Sequence, residues 1–162
     1  MKTIYLVRHT KAEEKTSVIK DFGRQLTTRG IRDAEKIGKR LASMRILPDG
    51  IISSPARRTM QTAKIISKNL KYAGEITVNE NIYHTSGAKI ITIIQKTEEK
   101  IQSLMIVGHN PSFNGILHHL CETNIDNIPK GGVIGIKLNV EQWGEISNGC
   151  GVLLFFDSPK NK

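Results

Sequence analysis

Short runs of aliphatic and β-branched residues alternate along this chain with stretches of helical periodicity, and that alternation leaves few folds open. Residues 2 to 7 form the first run, with the pattern of a strand buried on both faces. Ile51-Ile52-Ser53, Ile76-Thr77-Val78 and Leu104-Met105-Ile106-Val107 read as three more strands. Between them, Leu26-Thr27-Thr28-Arg29-Gly30 offers threonine caps before a stretch with Ile31, Ala34, Ile37, Leu41 and Met44 on one helical face. Ser54-Pro55 reads as the start of a second helix, with Met60, Ala63, Ile66 and Leu70 inward. Residues 87 to 99 predict a third helix and Ser112 to Cys121 a fourth. Val133 to Val140 and Val152 to Phe156 suit strands at one side of the sheet, joined through a turn region around Trp143 to Gly149. The expectation is a three-layer α/β/α fold with a mostly parallel central sheet, one antiparallel edge and helices on both faces.

At 162 residues the chain has the size of one domain, 1–162, able to bury roughly two-thirds of its unfolded surface. No apolar run approaches the ~20 residues of a membrane span, and the N-terminal run meets Arg8 and His9 too soon for a secretory signal. Cys121 and Cys150 lack the spacing of a redox pair or a zinc site, so a cytoplasmic protein with reduced thiols is expected. The net charge of +9 implies attraction to anions, either nucleic acid or small phosphates.

Ligands of such sheets bind beyond the carboxyl ends of the strands, and three polar clusters fall there: Arg8-His9, Ser53-Ser54 with the arginines that follow, and Gly108-His109. A histidine that attacks phosphorus must be neutral at the attacking nitrogen and held by a hydrogen bond at the other. Arginine suits the phosphoryl oxygens because its planar fork holds two at once. Arg8 supplies one such group, and Arg57 or Arg58 would complete a cationic clamp. His109, on the tight Gly108-His109-Asn110-Pro111 turn, is placed to donate to a phosphoryl oxygen, with the positive end of the next helix facing the same way. Three such clusters are hard to explain as independent packing accidents.

Leu6-Val7-Arg8-His9-Thr10 resembles the R-H-G/T signature of the histidine phosphatase superfamily, the phosphoglycerate-mutase-like fold. Leu26-Thr27-Thr28-Arg29-Gly30 is similar to that family's L-T-x-x-G, residues 53 to 63 to its S-S-P-x-x-R-x-x-Q-T-A, and residues 108 to 111 to its G-H-N-P. The resemblance implies that His9 is the phosphorylated nucleophile, Arg8 and Arg58 bind phosphate, and His109 is the second pocket histidine. Arg58 rather than Arg57 matches, standing three residues before Gln61 and four before Thr62. Arg57 is then a solvent-facing neighbour or an auxiliary contact. The short length and the G-H-N-P form most resemble the compact SixA-type phosphohistidine phosphatases, since a mutase's extended acidic motif has Val78-Asn79-Glu80-Asn81-Ile82-Tyr83-His84 in its place.

Glu80 is the carboxylate nearest to where the resemblance puts a general acid, although its surroundings depart from the family pattern. An imidazole leaving group needs less help from an acid than an alkoxide does. Asp21 and Arg24, in the loop after the first strand, are candidates to shape the pocket mouth and contact substrate. His84 is given no role, and His118 and His119 read as surface or packing residues. No metal or cofactor is expected, because two arginines can neutralise the charge a cation would otherwise meet. Gly131-Gly132 is not part of a Walker A loop.

The function expected is a metal-independent phosphatase acting through a phosphohistidine on His9, its partner a phosphohistidine on a signalling protein. A small phosphomonoester is the alternative substrate. A non-enzymatic basic module docking nucleic acid or an acidic protein is the rival. Sparse aromatics, 5% of the chain, and the lack of a helix-turn-helix or zinc pattern count against nucleic acid. No membrane partner is expected, and a monomer is the default.

Overall fold

A computed structural model of the chain describes residues 1–161. The strands β1 (Lys2–Arg8), β2 (Gly50–Ser53), β3 (Ile76–Val78), β4 (Ser103–Gly108), β5 (Val133–Leu138) and β6 (Gly151–Asp157) form one six-stranded sheet in the order β3-β2-β4-β1-β5-β6. The pairs joining β3, β2, β4 and β1 are parallel, and β5 and β6 add an antiparallel side. The helices α1 (Thr28–Ser43), α2 (Arg57–Asn69), α3 (Gly87–Gln95) and α4 (Ser112–Leu120) cover both faces. The architecture is the three-layer α/β/α expected from the sequence.

Strand periodicity shows how the layers are sorted. Ile4 and Leu6 of β1, with Leu104 and Ile106 of β4, join Ile90 and Ile94 of α3 and Phe113, Ile116 and Leu120 of α4. The alternate residues Val7, Met105 and Val107 join Ile37 and Leu41 of α1 and Ala63 and Ile66 of α2. Both faces of the central strands are covered, so their apolar runs are nearly continuous.

Thr27 caps α1, its hydroxyl accepting from the Gly30 amide at 3.0 Å. The buried stripe of α1 is Gly30, Ala34, Ile37, Gly38 and Leu41, while Ile31 and Met44, expected on the inner face, are exposed. A stripe centred on Ala34 and Ile37 turns those two toward solvent. Helix α2 starts at Arg57 rather than at Ser54-Pro55, because the Ser54 hydroxyl is engaged before the helix, accepting from the Ala56 amide and from His109. Helix α3 ends at Gln95 rather than running to residue 99, since Lys96-Thr97-Glu98-Glu99-Lys100 offers nothing to bury. No helix among the described residues is long and apolar enough to cross a membrane.

The loop from β1 to α1 is fastened at both ends. Ala12 and Leu26 form an antiparallel bridge, and the Thr27 amide donates to the Lys11 carbonyl at 3.0 Å. The Leu26 amide donates to the Gln61 side chain of α2 at 2.7 Å. A Cβ on Gly30 would fall on the Lys11 carbonyl oxygen, so the loop and helix meet at a distance only glycine permits. Gly30→Ala is expected to lower stability by about 1–3 kcal/mol in urea unfolding, through overpacking against backbone.

Candidate active site

Parallel pairing sets the site. Arg8 pairs with Gly108 and Ser53 with Val107, so three strands end level and release Arg8-His9, Ser53-Ser54 and Gly108-His109 at one sheet edge. Gly131, at a φ of +76°, closes in from the start of β5, its amide donating to the Arg8 and His9 carbonyls. The glycine pair that matched no phosphate-binding loop thus fixes the backbone that carries His9. A cavity of about 580 Å³ opens there, lined by Arg8, His9, Asp21, Arg24, Arg58 and His109, with Tyr83, His84, Lys89 and Lys130 around them.

His9 is 5% exposed, and its Nδ1 lies 2.8 Å from the Thr10 carbonyl. A carbonyl only accepts, so Nδ1 carries the proton in the neutral ring and Nε2 keeps its lone pair. Burial, with the Arg58, Arg8 and Arg24 charges, pushes the ring's pKa down to about 3 against the Thr10 hydrogen bond, leaving His9 neutral at physiological pH. His109, 9% exposed, has the opposite tautomer. Its Nδ1 accepts from Arg58 at 3.2 Å, and its Nε2–H donates to the Ser54 hydroxyl at 2.8 Å. Burial and the Arg58 charge bring this ring to about 3 as well. The two ring centroids are 5.5 Å apart.

Arg8 donates through one terminal nitrogen to the Ile128 carbonyl at 2.8 Å. Arg58, 4% exposed, donates to the Asp21 carbonyl at 2.7 Å and to the Asp21 carboxylate at 3.2 Å. Arg24 donates to the Glu13 carbonyl at 2.9 Å, and its Nε stands 3.2 Å from Asp21 Oδ1, out of line for a hydrogen bond. The Nε–H groups of Arg8, Arg24 and Arg58 are all buried without an acceptor. Three orphaned guanidinium donors around one cavity are what an oxyanion would relieve. Burial lowers the Arg8 and Arg58 pKa values from the ordinary one, and at Arg58 the Asp21 carboxylate opposes that shift without cancelling it.

Six of the seven residues that sequence reasoning singled out therefore line one cavity. Glu80 does not. It is exposed on the 3-10 turn Glu80–Ile82 and lines a neighbouring hollow, because Ile82 turns inward and carries the chain past the cavity to Tyr83. Arg57 faces solvent. The residue that the sequence reading missed is Tyr83, whose hydroxyl donates to Asp21 at 2.6 Å and whose ring meets His109 edge-on at 5.6 Å. Its signal was position: an aromatic residue just past the carboxyl end of β3, the same edge as the histidines.

The profile of the histidine phosphatase superfamily (branch 1) matches residues 4–83, a span that holds Arg8, His9 and Arg58. The chain thus resembles the histidine phosphatase superfamily. Its fold is similar to that of a candidate phosphohistidine phosphatase SixA from Agrobacterium tumefaciens, with 26% identity, a TM-score of 0.85 and 98% of each chain covered. It is also similar to the protein histidine phosphatase SixA solved in complex with tungstate, at 19% identity and a TM-score of 0.82 over 97% of each chain. An uncharacterized protein of Mycobacterium tuberculosis is 26% identical over 166 residues, covering 95% of this chain and 100% of the relative. The superfamily match and the SixA likeness support a phosphatase of the hydrolase class.

Two neutral buried histidines leave a mark on the stability of such a phosphatase. Unfolding releases each ring to an ordinary pKa near 6.5, so below that pH the unfolded state binds protons that the folded state refuses. Stability is whole above pH 6.5 and falls as pH drops toward 3. At pH 5 the loss is about 2 kcal/mol per ring. Urea midpoints between pH 7.5 and 5 should show the decline, and His9→Asn should remove about half of the slope.

Proposed function

We propose that this phosphatase removes the phosphoryl group from a phosphohistidine on a signalling protein, passing it through a covalent phosphohistidine on His9. The observation that carries the reading is the contact of His9 Nδ1 with the Thr10 carbonyl, which assigns the proton to Nδ1. With Nδ1–H committed to the Thr10 carbonyl, the Nε2 lone pair is free without any base to remove a proton first.

In the first step Nε2 attacks phosphorus in line, the bond from phosphorus to the leaving nitrogen breaks, and that nitrogen keeps the electron pair. In the second step water attacks the phosphorus on His9, the P–N bond breaks, and orthophosphate leaves with the water's oxygen. Arg8 and Arg58 hold the phosphoryl oxygens, Arg24 adds charge at the mouth, and no metal is needed for that neutralisation. His109 cannot donate from Nδ1 while that nitrogen accepts from Arg58. A phosphoryl dianion that draws Arg58 onto its oxygens also favours the protonated ring, and Nδ1–H then donates to it.

The leaving group is where the carboxylates speak. Glu80 lies outside the cavity, and among the described lining residues Asp21 is the only carboxylate. Its pKa, about 2, keeps it ionised, so it has no proton to give at neutral pH. This arrangement favours a substrate whose leaving group departs without a carboxylic acid's help, and the imidazole of phosphohistidine fits that chemistry better than an alkoxide.

Turnover of an aryl phosphate should persist in chelator, fall at least about a thousandfold in His9→Ala, and fall about a hundredfold or more in Arg58→Ala. Rapid quench with labelled substrate should trap acid-labile label on the wild type and none on His9→Ala. Label on another residue would sink the mechanism. On competing substrates, kcat/KM should favour a phosphohistidine protein over phosphoserine, and the reverse order would replace the protein substrate with a small phosphomonoester.

The free enzyme's kcat/KM should also show no acid limb near pH 6.5 from His9. A nucleophile with its pKa near 3 stays neutral throughout pH 5–8. A limb at 6.5 that survives correction for the substrate's own ionisation would contradict the buried neutral ring.

A further inference from the structure

Asp21 sits where an arriving phosphoryl group has to go. It opens the 3-10 turn Asp21–Gly23 in the loop between β1 and α1, and both terminal nitrogens of Arg58 are spent on it: one on its carbonyl at 2.7 Å, the other on its carboxylate Oδ2 at 3.2 Å. Arg24 Nε stands 3.2 Å from Oδ1, and His84 Nε2 lies 3.6 Å from Oδ2. The empty site thus carries its own anion, seated on two of the three arginines that line the cavity. Burial works to raise this carboxyl's pKa, but the Tyr83 hydrogen bond and the Arg58 and Arg24 charges outweigh it, so the group is an anion at working pH.

We propose that Asp21 is a resident competitor of the phosphoryl group: its carboxylate occupies Arg58 in the empty enzyme, yields Arg58 to the phosphoryl oxygens on binding, and thereby sets how tightly the site holds phosphate. The inference rests on the reading of this cavity as a phosphoryl site. The geometry gives the exchange a path. The Tyr83 hydroxyl holds Oδ2 at 2.6 Å independently of Arg58, so the carboxylate can stay on Tyr83 while the guanidinium turns. The charge does not leave the cavity when Arg58 does, and a negative group a few ångströms from a dianion weakens its binding. A pocket with three arginines and no such opponent would hold orthophosphate, the product, as firmly as it holds the substrate's phosphoryl group. Asp21 keeps that affinity low, which favours release of orthophosphate after each turnover.

Asp21→Asn keeps the size and the hydrogen-bonding oxygen and removes the charge. Titration calorimetry with orthophosphate alone on wild type and Asp21→Asn is the test, with thermal melts of both as a check on folding. The variant should bind orthophosphate about tenfold or more tightly, with KM for an aryl phosphate falling and kcat not rising. Equal or weaker binding by a folded variant would overturn the proposal, leaving Asp21 as a support that only orients Arg58. Binding by neither protein would overturn the proposal together with the phosphoryl reading of the site. The wild type soaked in orthophosphate gives a reading that does not depend on the variant folding. The Arg58 nitrogen should leave Asp21 Oδ2 for a phosphate oxygen, and an intact 3.2 Å contact beside bound phosphate would refute the exchange.

Discussion

The parallel register of β1 against β4 is the constraint from which the site follows. Arg8 opposite Gly108 means that the next residue of each strand, a histidine in both cases, leaves the sheet at the same height. One step of slip would reverse the faces on which Val7 and Val107 lie, and with them the whole core beneath α1 and α2. The active geometry is therefore secured by hydrophobic burial at a distance. The residues that could chemically tolerate replacement, such as Ile4, Leu6 and Ile106, are the ones that fix the two rings 5.5 Å apart.

Electrostatics then does the opposite of what a stable fold would ask. Three guanidinium groups with orphaned Nε–H donors and two histidines held neutral by burial are gathered at one sheet edge, with Asp21 the only carboxylate among the described residues that line the cavity. Each of these groups costs stability in the empty protein and gains from an oxyanion. The cost is tolerable because the scaffold is stiff: the loop that brings Asp21 and Arg24 is closed by the Ala12–Leu26 bridge and by Gln61. Gln61 and Thr62 are not among the residues that line the cavity. Gln61 receives the Leu26 amide, and Thr62 receives the Thr10 amide at 3.3 Å, so the second motif braces the first and the loop between them.

What the sequence made legible was whatever is repeated at short range. Apolar runs ending in Arg8-His9 and Gly108-His109 announced strand ends, and the spacing from Arg58 to Gln61 and Thr62 selected the buried arginine over the exposed Arg57. What stayed hidden depends on direction in space. Nothing local distinguishes Glu80, which turns out to solvent, from Asp21, which turns in, because the difference lies in Ile82 anchoring the chain beyond β3 and in Tyr83 reaching across to the other loop. Ile31 carries the hydrophobicity of an inner-face residue and is exposed, because the inner stripe of α1 is set by Gly30 meeting the Lys11 carbonyl, a contact far from anything a helical wheel records. Trp143, in a segment read only as a turn, is fully buried, its indole N–H donating to the Ile101 carbonyl at 2.8 Å.

The two histidines show why tautomers matter more here than identity. Both are buried, both have their pKa values pushed to about 3, and by composition they are interchangeable. Their partners are not. Thr10 offers a carbonyl, which forces a proton onto Nδ1 of His9 and leaves Nε2 a base, whereas Arg58 offers only donors, which forces a lone pair onto Nδ1 of His109 and a proton toward Ser54. The empty site accordingly holds one ring ready to attack and one ring occupied. On the proposed mechanism, an arriving anion that draws Arg58 away would also release the occupied ring, so the nucleophile would be prepared in advance and the donor assembled only around the group it is meant to hold. Asp21 lies at the centre of that difference, since Arg58 is held at once by the Asp21 carbonyl, the Asp21 carboxylate and Nδ1 of His109.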